Sequence, residues 1–236
     1  MSFVIAVYVN EGIVLASDRR TTYNNSREID GKKVEFLGIH TNDNTDKTFM
    51  CPNGAGIMTC GEASFQKKPI TGFIQDMIRT RIDADCEVKD MPKIIIDYFY
   101  EKGEVPDSQF VVAGYDGSEE NSQQLIYQVN LRSKQVDQID TSGQGATWGG
   151  EGMTLMRLLQ KVAVVDENGK FQPLPYEEIS WNFFTLQDAV DFARYAVETT
   201  INTMHFKNML ETVGGDIDIL IITKDETRWL KKKEIQ

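Results

Sequence analysis

Histidine is almost missing from this chain: among 236 residues only His40 and His205 are histidines. A Ser-His-Asp triad or a histidine-rich metal centre would have to rest on those two. They read instead as a loop histidine and a histidine at the end of a helix, so any hydrolytic chemistry must find its base elsewhere. Cysteine is also scarce. Cys51, Cys60 and Cys86 are odd in number and lack metal-ligand spacing, so they read as reduced, mostly buried thiols of a cytoplasmic protein. Cys60 as a nucleophile is set aside, because no histidine lies near it in sequence. Basic residues are outnumbered, with 25 Lys and Arg against 36 Asp and Glu, for a formal net charge of −11. That argues against a nucleic-acid partner, which needs a basic surface, and against an anionic membrane surface. The one basic run, Lys231-Lys232-Lys233, reads as a solvated tail. No run of about 18 apolar residues is present to span a bilayer. The short apolar stretch at the N-terminus lacks the basic lead-in of a signal peptide. Neither a metal nor a cofactor is implied.

What is present is an ordinary globular composition, 41% hydrophobic and 26% charged, enough for one domain over residues 1–236. Phe3 to Val9 and Ile13 to Ser17 are apolar strands around a tight Asn10-Glu11-Gly12 turn. Residues 24–46 read as a polar insertion with a short strand near Val34 to Ile39. Two strands around Pro52-Asn53-Gly54 form a second hairpin. Ile70, Phe73, Ile74, Met77, Ile78 and Ile82 recur at helical spacing. Asp90-Met91-Pro92 reads as an N-cap with proline in the first turn of a second helix reaching about Glu101. Strands are expected at 109–115, 124–130 and 135–140. A glycine-rich corner, Gly143 to Thr147, then leads to a third helix with Met153, Met156 and Leu159. Residues 164–185 read as another insertion. A fourth helix carries Leu186, Ala189, Val190, Ala193, Ala196, Val197, Thr200, Ile201 and Met204 on one face. Strands at Ile217 to Ile222 and Thr227 to Leu230 close the chain. Helices come in pairs between groups of strands, which predicts an α+β fold: a four-layer αββα sandwich of two antiparallel sheets flanked by helix pairs.

The opening strand also carries chemistry. Loss of Met1, which the small side chain of Ser2 permits, would place a free amine and a hydroxyl at the head of a core strand, with Asp18 on the adjacent strand. An N-terminal hydroxyl residue can use its own α-amino group as general base. Taken singly, Asp18 is also a plausible turn residue, Lys47 a solvated hairpin residue, and Gly61 a mere start to the helix connection.

Three stretches change that balance: Ser2 with Gly12 to Thr22 and Lys47; Thr59-Cys60-Gly61-Glu62-Ala63; and Gly214-Gly215-Asp216 through Thr223. In order and spacing they resemble a proteasome β-type subunit of the N-terminal-nucleophile hydrolase superfamily, and most of all the simplified bacterial proteasome-related proteins. The resemblance implies Ser2 as nucleophile in a position usually held by threonine. It implies Asp18 and Lys47 as the acid–lysine couple and the backbone N–H of Gly61 as oxyanion donor. Thr22 and Ala63 would pair with an extended peptide, and Thr59 would shape the specificity pocket. It further implies a cytoplasmic peptidase acting on peptides or polypeptides, assembled as a ring or helical homo-oligomer, with any ATPase on a separate chain. An N-terminal-nucleophile amidase for a small amide, or a non-catalytic assembly protein, are the alternatives. This chain departs from the family at three places. Ala146 and Thr147 replace the serine expected after the glycine-rich corner, and Leu210 and Val213 stand where a late aspartate and serine support the amine. Glu211, Thr212 and Asp216 are the candidates to substitute for them.

Overall fold

The computed structural model describes residues 2–118 and 121–233. Two five-stranded antiparallel sheets dominate it. Strands β1 (Phe3–Val9) and β2 (Gly12–Asp18) pair with each other. They lie at the centre of a sheet completed by β12 (Gly145–Gly150), β15 (Ile217–Ile222) and β16 (Thr227–Lys231), in the order β12-β1-β2-β15-β16. The second sheet runs β11-β10-β9-β6-β5 and comprises β5 (Thr48–Met50), β6 (Gly56–Gly61), β9 (Ser108–Asp116), β10 (Gln123–Asn130) and β11 (Gln135–Gln138).

Successive strand residues face opposite sides of a sheet, so a strand apolar at every position must be covered on both. In β1 and β2, Val4, Ala6, Ile13 and Leu15 join Met58, Val111, Ala113, Ile126, Leu220 and Ile222 in a core built from both sheets. Phe3, Ile5, Val7, Val14 and Ala16 turn the other way, onto helix α4 (Leu186–His205). Ala189, Ala193 and Ala196 line the buried face of α4; such small side chains let a helix lie close on a sheet. Helices α1 (Ile70–Arg81) and α2 (Met91–Glu101) build a third core on Ile57, Phe110, Val112 and Leu125 of the second sheet. Each fully buried Ile or Leu in these cores contributes roughly 1.5–3 kcal/mol.

Several expectations are corrected. The glycine-rich corner is an edge strand: β12 pairs with β1 from Phe3↔Gly150 to Tyr8↔Gly145. Helix α3 (Met153–Leu159) buries Thr154 and Leu155, while Met153 and Met156 face outward. Asp90 holds the N-cap position of α2 with Pro92 in the first turn, but its side chain makes no capping hydrogen bond. It ends a short 3-10 turn, Val88–Asp90, whose first amides are held by Asp116, with Val88 N–H and Lys89 N–H at 2.6 and 3.0 Å from its two carboxylate oxygens. Residues 24–46 hold not one short strand but a long two-stranded hairpin, β3 (Thr21–Ile29) and β4 (Lys32–Asn42). His40 therefore lies on a strand rather than in a loop. The later insertion holds a smaller hairpin, β13 (Ala163–Val165) and β14 (Phe171–Pro173). The connection from β6 to α1 forms a minor pair, β7 (Ser64–Phe65) and β8 (Lys68–Pro69). Among the described residues no helix is long and apolar enough to cross a membrane.

Candidate active site

Asp18 is the last residue of β2, and its position follows from register. Ser17 pairs with Val4, so the next side chain reaches the start of β1. The carboxylate is fully buried and accepts from four donors. Oδ1 takes Phe3 N–H at 3.0 Å and Lys47 Nζ at 2.6 Å, and Oδ2 takes Arg20 N–H at 3.0 Å and Gly214 N–H at 2.9 Å. A buried carboxylate needs this degree of satisfaction to remain charged.

Lys47 sits just before β5 and is equally buried. Its ammonium also donates to Arg20 O at 2.5 Å. A lysine ammonium has three donors, and these two contacts use two of them. Burial pulls its pKa below the ordinary lysine value, while the facing Asp18 opposes that shift. Beside the pair, the hydroxyls of Ser17 and Thr48 share a buried 2.7 Å hydrogen bond that joins β2 to β5. The ion pair thus sits where the two sheets are stitched together.

Ser2 lies above this couple. Its carbonyl accepts from Glu151 N–H at 2.8 Å, and the chain closes over it so tightly that a Cβ on Gly150, where φ is +82°, would fall 1.8 Å from that oxygen. Ser2 lines a cleft of about 370 Å³ together with Thr21, Thr22, Gly61 and Ala63, with Tyr23 and Asn24 on one wall and Glu62 and Asp107 on the other. Gly61 ends β6 at φ +113°, where a Cβ would stand 2.4 Å from Asp107 O.

Of the residues expected from sequence, Ser2, Thr22, Gly61 and Ala63 share the cleft, while Asp18 and Lys47 are buried and joined to Ser2 through the Phe3 N–H that Asp18 accepts. Thr59 is not among the residues lining the cleft; it is buried, and its hydroxyl donates to Gln109 O at 3.2 Å. Thr147 is remote from Ser2: it pairs with Ala6 along β12 and accepts from Gln128 Nε2. The late segment is rearranged. Leu210 is exposed, Val213 is buried in the α4 core, and Asp216 pairs with Lys233 at the surface. Thr212 is buried, with its hydroxyl 4.0 Å from Met204 Sδ. Glu211 alone turns toward the site, accepting from Arg20 Nη1 at 2.7 Å and contacting His205 Nδ1 at 3.1 Å.

Sequence reasoning missed Arg20. Its main chain serves both members of the couple, its N–H on Asp18 and its carbonyl on Lys47, while its guanidinium makes a two-pronged pair with Asp43 at 2.7 and 2.8 Å. Those partners hold Arg20 protonated; Arg20 draws the Asp43 carboxyl below its usual range, and His205 together with Arg20 does the same to Glu211. Arg19 is a second buried cation, 2.5 Å from Asp218 and 2.7 Å from Asp46; burial raises the Asp218 carboxyl despite that contact. Three of the partners, Asp43, Asp46 and Glu211, lie in distant loops with no periodic signature and the fourth, Asp218, on β15, so only the paired arginines themselves could have drawn notice. Gly149-Gly150-Glu151 was the other readable signal, a glycine pair placed before a helix. Cys60 is buried near Lys47 and Asp18, but burial pushes its thiol up to about 11, the wrong direction for a nucleophile. Among the described residues no group of three or more His, Cys, Asp or Glu could hold a metal ion.

No family model matches the sequence, and no curated protein matches it. Its fold is similar to that of Anbu from Hyphomicrobium sp. strain MC1. Against the (Gly-1) mutant of that protein the TM-score is 0.58 at 12% identity, covering 99% of this chain and 86% of that one. Against a second Anbu structure it is 0.53 at 12% identity, covering 98% and 88%. At that identity the likeness is one of fold.

Proposed function

We propose that this chain is a proteasome-like N-terminal-nucleophile peptidase that hydrolyses peptide bonds with Ser2 once Met1 is removed. We read the three cores as the interlayer spaces of a four-layer αββα stack, formed as a single domain over residues 1–236 with the two hairpins as insertions. The observation that carries the reading is that one atom, Asp18 Oδ1, holds both the Ser2–Phe3 peptide and the Lys47 ammonium.

The chemistry follows from that juxtaposition. A free α-amino group titrates near 8, and a neighbouring ammonium lowers that value, so the neutral amine is available as base at physiological pH. It accepts the proton from Ser2 Oγ as Oγ bonds to the substrate carbonyl carbon. The third N–H of Lys47 is the donor available to steady the developing alkoxide, and the backbone N–H of Gly61 is the donor for the oxyanion. The amine then passes its proton to the leaving nitrogen as the peptide C–N bond breaks. Water repeats the sequence to free Ser2 from the ester. Thr22 and Ala63 flank the cleft as edges for an extended peptide. Serine lacks the methyl that restricts threonine's χ1, so Arg20, through its grip on the couple, carries more of the positioning. The setting we infer is cytoplasmic, with a homo-oligomer of ring or helical form and any ATPase supplied by another chain.

The test combines intact mass with labelling by a peptide α′,β′-epoxyketone, which captures an amine and an adjacent hydroxyl together. Protein lacking Met1 is expected to turn over fluorogenic peptides and to take one label on Ser2, while Ser2→Ala does neither. Turnover unchanged in Ser2→Ala, or equal in chains that retain Met1, overturns the reading.

A further inference from the structure

The cleft that holds Ser2 is polar, and its charge is of one sign. Two carboxylates line it, Glu62 and Asp107, and no lysine, arginine or histidine does. Ser2 lines the same cleft although only 7% of it is exposed. Whatever enters to reach its hydroxyl is therefore brought against these carboxylates.

Glu62 is held far more firmly than an ordinary surface glutamate. Its N–H donates to Asp107 O at 3.0 Å, and its carbonyl accepts from Ser108 Oγ at 3.3 Å. Its Oε2 accepts from Asp107 N–H at 2.9 Å. The glycine before it belongs to the same clamp, since Gly61 pairs with Ser108 as β6 ends. Main chain and one carboxylate oxygen are thus both fixed, and Oε1 is left for another donor. A side chain ordered in advance loses less rotamer freedom when it binds.

The charges around Glu62 are matched to one another. Asp107 Oδ2 stands 3.4 Å from Arg132 Nη1. The hollow that continues past Ser64 adds Glu104 and Lys67, one of each sign. Lys47 is taken up by Asp18 at 2.6 Å. Glu62 is the carboxylate of the cleft to which the described residues bring no cation. In sequence it falls between Gly61 and Ala63, the oxyanion donor and a peptide edge in the reaction above, so its carboxylate lies close to the bond to be cut.

We propose that Glu62 determines specificity in this cleft: its Oε1 receives the ammonium or guanidinium of a lysine or arginine side chain that flanks the scissile bond, which makes cationic peptides the substrate class. This rests on the peptidase reading above and deepens it. A carboxylate has acceptor sites enough to keep a backbone N–H on one oxygen and take a cation on the other, and the charge-assisted contact is the stronger kind. One partly solvated pair discriminates by only about fivefold, so Glu62 tunes a preference and does not impose an absolute requirement. The net charge of −11 also draws cationic peptides to the whole surface. Dependence on Glu62 is what separates selection in the cleft from that general attraction.

The probes are N-acetylated, C-amidated hexapeptides with one lysine, arginine or glutamine placed at each position in turn, so that the side chain is the only cation. Calorimetry with the Ser2→Ala chain measures binding without turnover, and the same peptides given to the chain lacking Met1 measure cleavage. Lysine and arginine peptides are expected to bind about fivefold more tightly than their glutamine counterparts and to be cut next to the cation. Glu62→Gln keeps an Oε1 acceptor for Asp107 N–H and is expected to bring that ratio close to one. Asp107→Asn, whose carboxylate already faces Arg132, is expected to change it less. Near-ultraviolet dichroism identical to the parent establishes that both variants are folded. A ratio near one in the parent, a ratio that survives Glu62→Gln, or a larger effect of Asp107→Asn overturns the proposal. Discrimination in binding without any cleavage keeps the role of Glu62 and removes the peptidase reading. Equal binding and equal cleavage of lysine and glutamine peptides does the reverse.

Discussion

Neutralising Asp18 and removing Lys47 are expected to have unequal and strongly non-additive effects on stability. Asp18 accepts from Lys47 and from three backbone amides. In Asp18→Asn the lysine loses its counter-charge at a fully buried position, and the new NH2 faces amide donors. Leaving one charge of a buried pair alone costs about 3–5 kcal/mol, a large share of the roughly 5–15 kcal/mol that holds a domain together. Lys47→Met instead leaves a carboxylate that keeps its three backbone N–H donors. The loss is then chiefly of two hydrogen bonds, one of them to Arg20 O, for about 1–3 kcal/mol. In the double variant the uncompensated ammonium is gone, so its cost should fall short of the sum of the singles by about 1–3 kcal/mol. Urea unfolding at pH 7, with the denaturant slope checked for constancy, measures all three. Additivity within about 0.5 kcal/mol, or a Lys47→Met loss at least as large as that of Asp18→Asn, would refute the buried couple.

Alkaline stability gives a second prediction. Burial pushes Cys51 up to about 12 and Cys60 up to about 11 from 9.0. Each folded thiol therefore keeps a proton that the unfolded one loses above pH 9. Their contribution is complete below pH 9 and is lost as pH rises, at about 1.4 kcal/mol per unit per thiol. Lys47, lowered by burial, acts in the opposite sense up to its ordinary value. Cys51→Ala, remote from Lys47, should flatten the fall in unfolding free energy between about pH 9.5 and 10.5 by about one thiol's worth; an unchanged slope would contradict the assignment. At Gly61, φ is +113° and a Cβ would sit 2.4 Å from Asp107 O. Gly61→Ala should lose about 2 kcal/mol or more together with peptide turnover, and urea midpoints within experimental error of the parent would dismiss the strain.

The legible parts of the fold were those whose side chains must leave water. Phe3 to Val9, Gly56 to Cys60 and the Ala189-Ala193-Ala196 stripe announce their elements because burial imposes a period. The illegible parts are held by something other than burial of their own faces. Strand β12, with three glycines among its six residues, has little strand propensity; β1 supplies its pairing partner, so tertiary context decides its state. Of β3 and β4 only the short strand near Val34 to Ile39 was readable, because beyond Tyr23 most side chains of the hairpin stay exposed. The spacing of Met153, Met156 and Leu159 marks a helix but not its buried side, because seven residues make too few turns for the period to settle it. The Asp116 cap on Val88 and Lys89 spans 28 residues, beyond any local signature. Of the candidate site, side chains matched to a linear motif were readable. The partners of Arg20, arriving from residues 43 and 211, were not.

Those partners bear on how a rewritten support shell could leave a working couple. Leu210 and Val213 stand where the resemblance expects a carboxylate and a hydroxyl, and Glu211 places a carboxylate one residue later, on Arg20. The guanidinium joins Glu211 to Asp43, and the same residue's N–H and carbonyl fix Asp18 and Lys47. Moving either anchoring loop therefore moves the carbonyl on which the lysine is hung. Asp43 directly follows β4, and Leu210 packs on the hairpin at Gly38, where a Cβ would meet it at 2.6 Å. The β3-β4 hairpin thus ends at one anchor of Arg20 and touches the segment that carries the other.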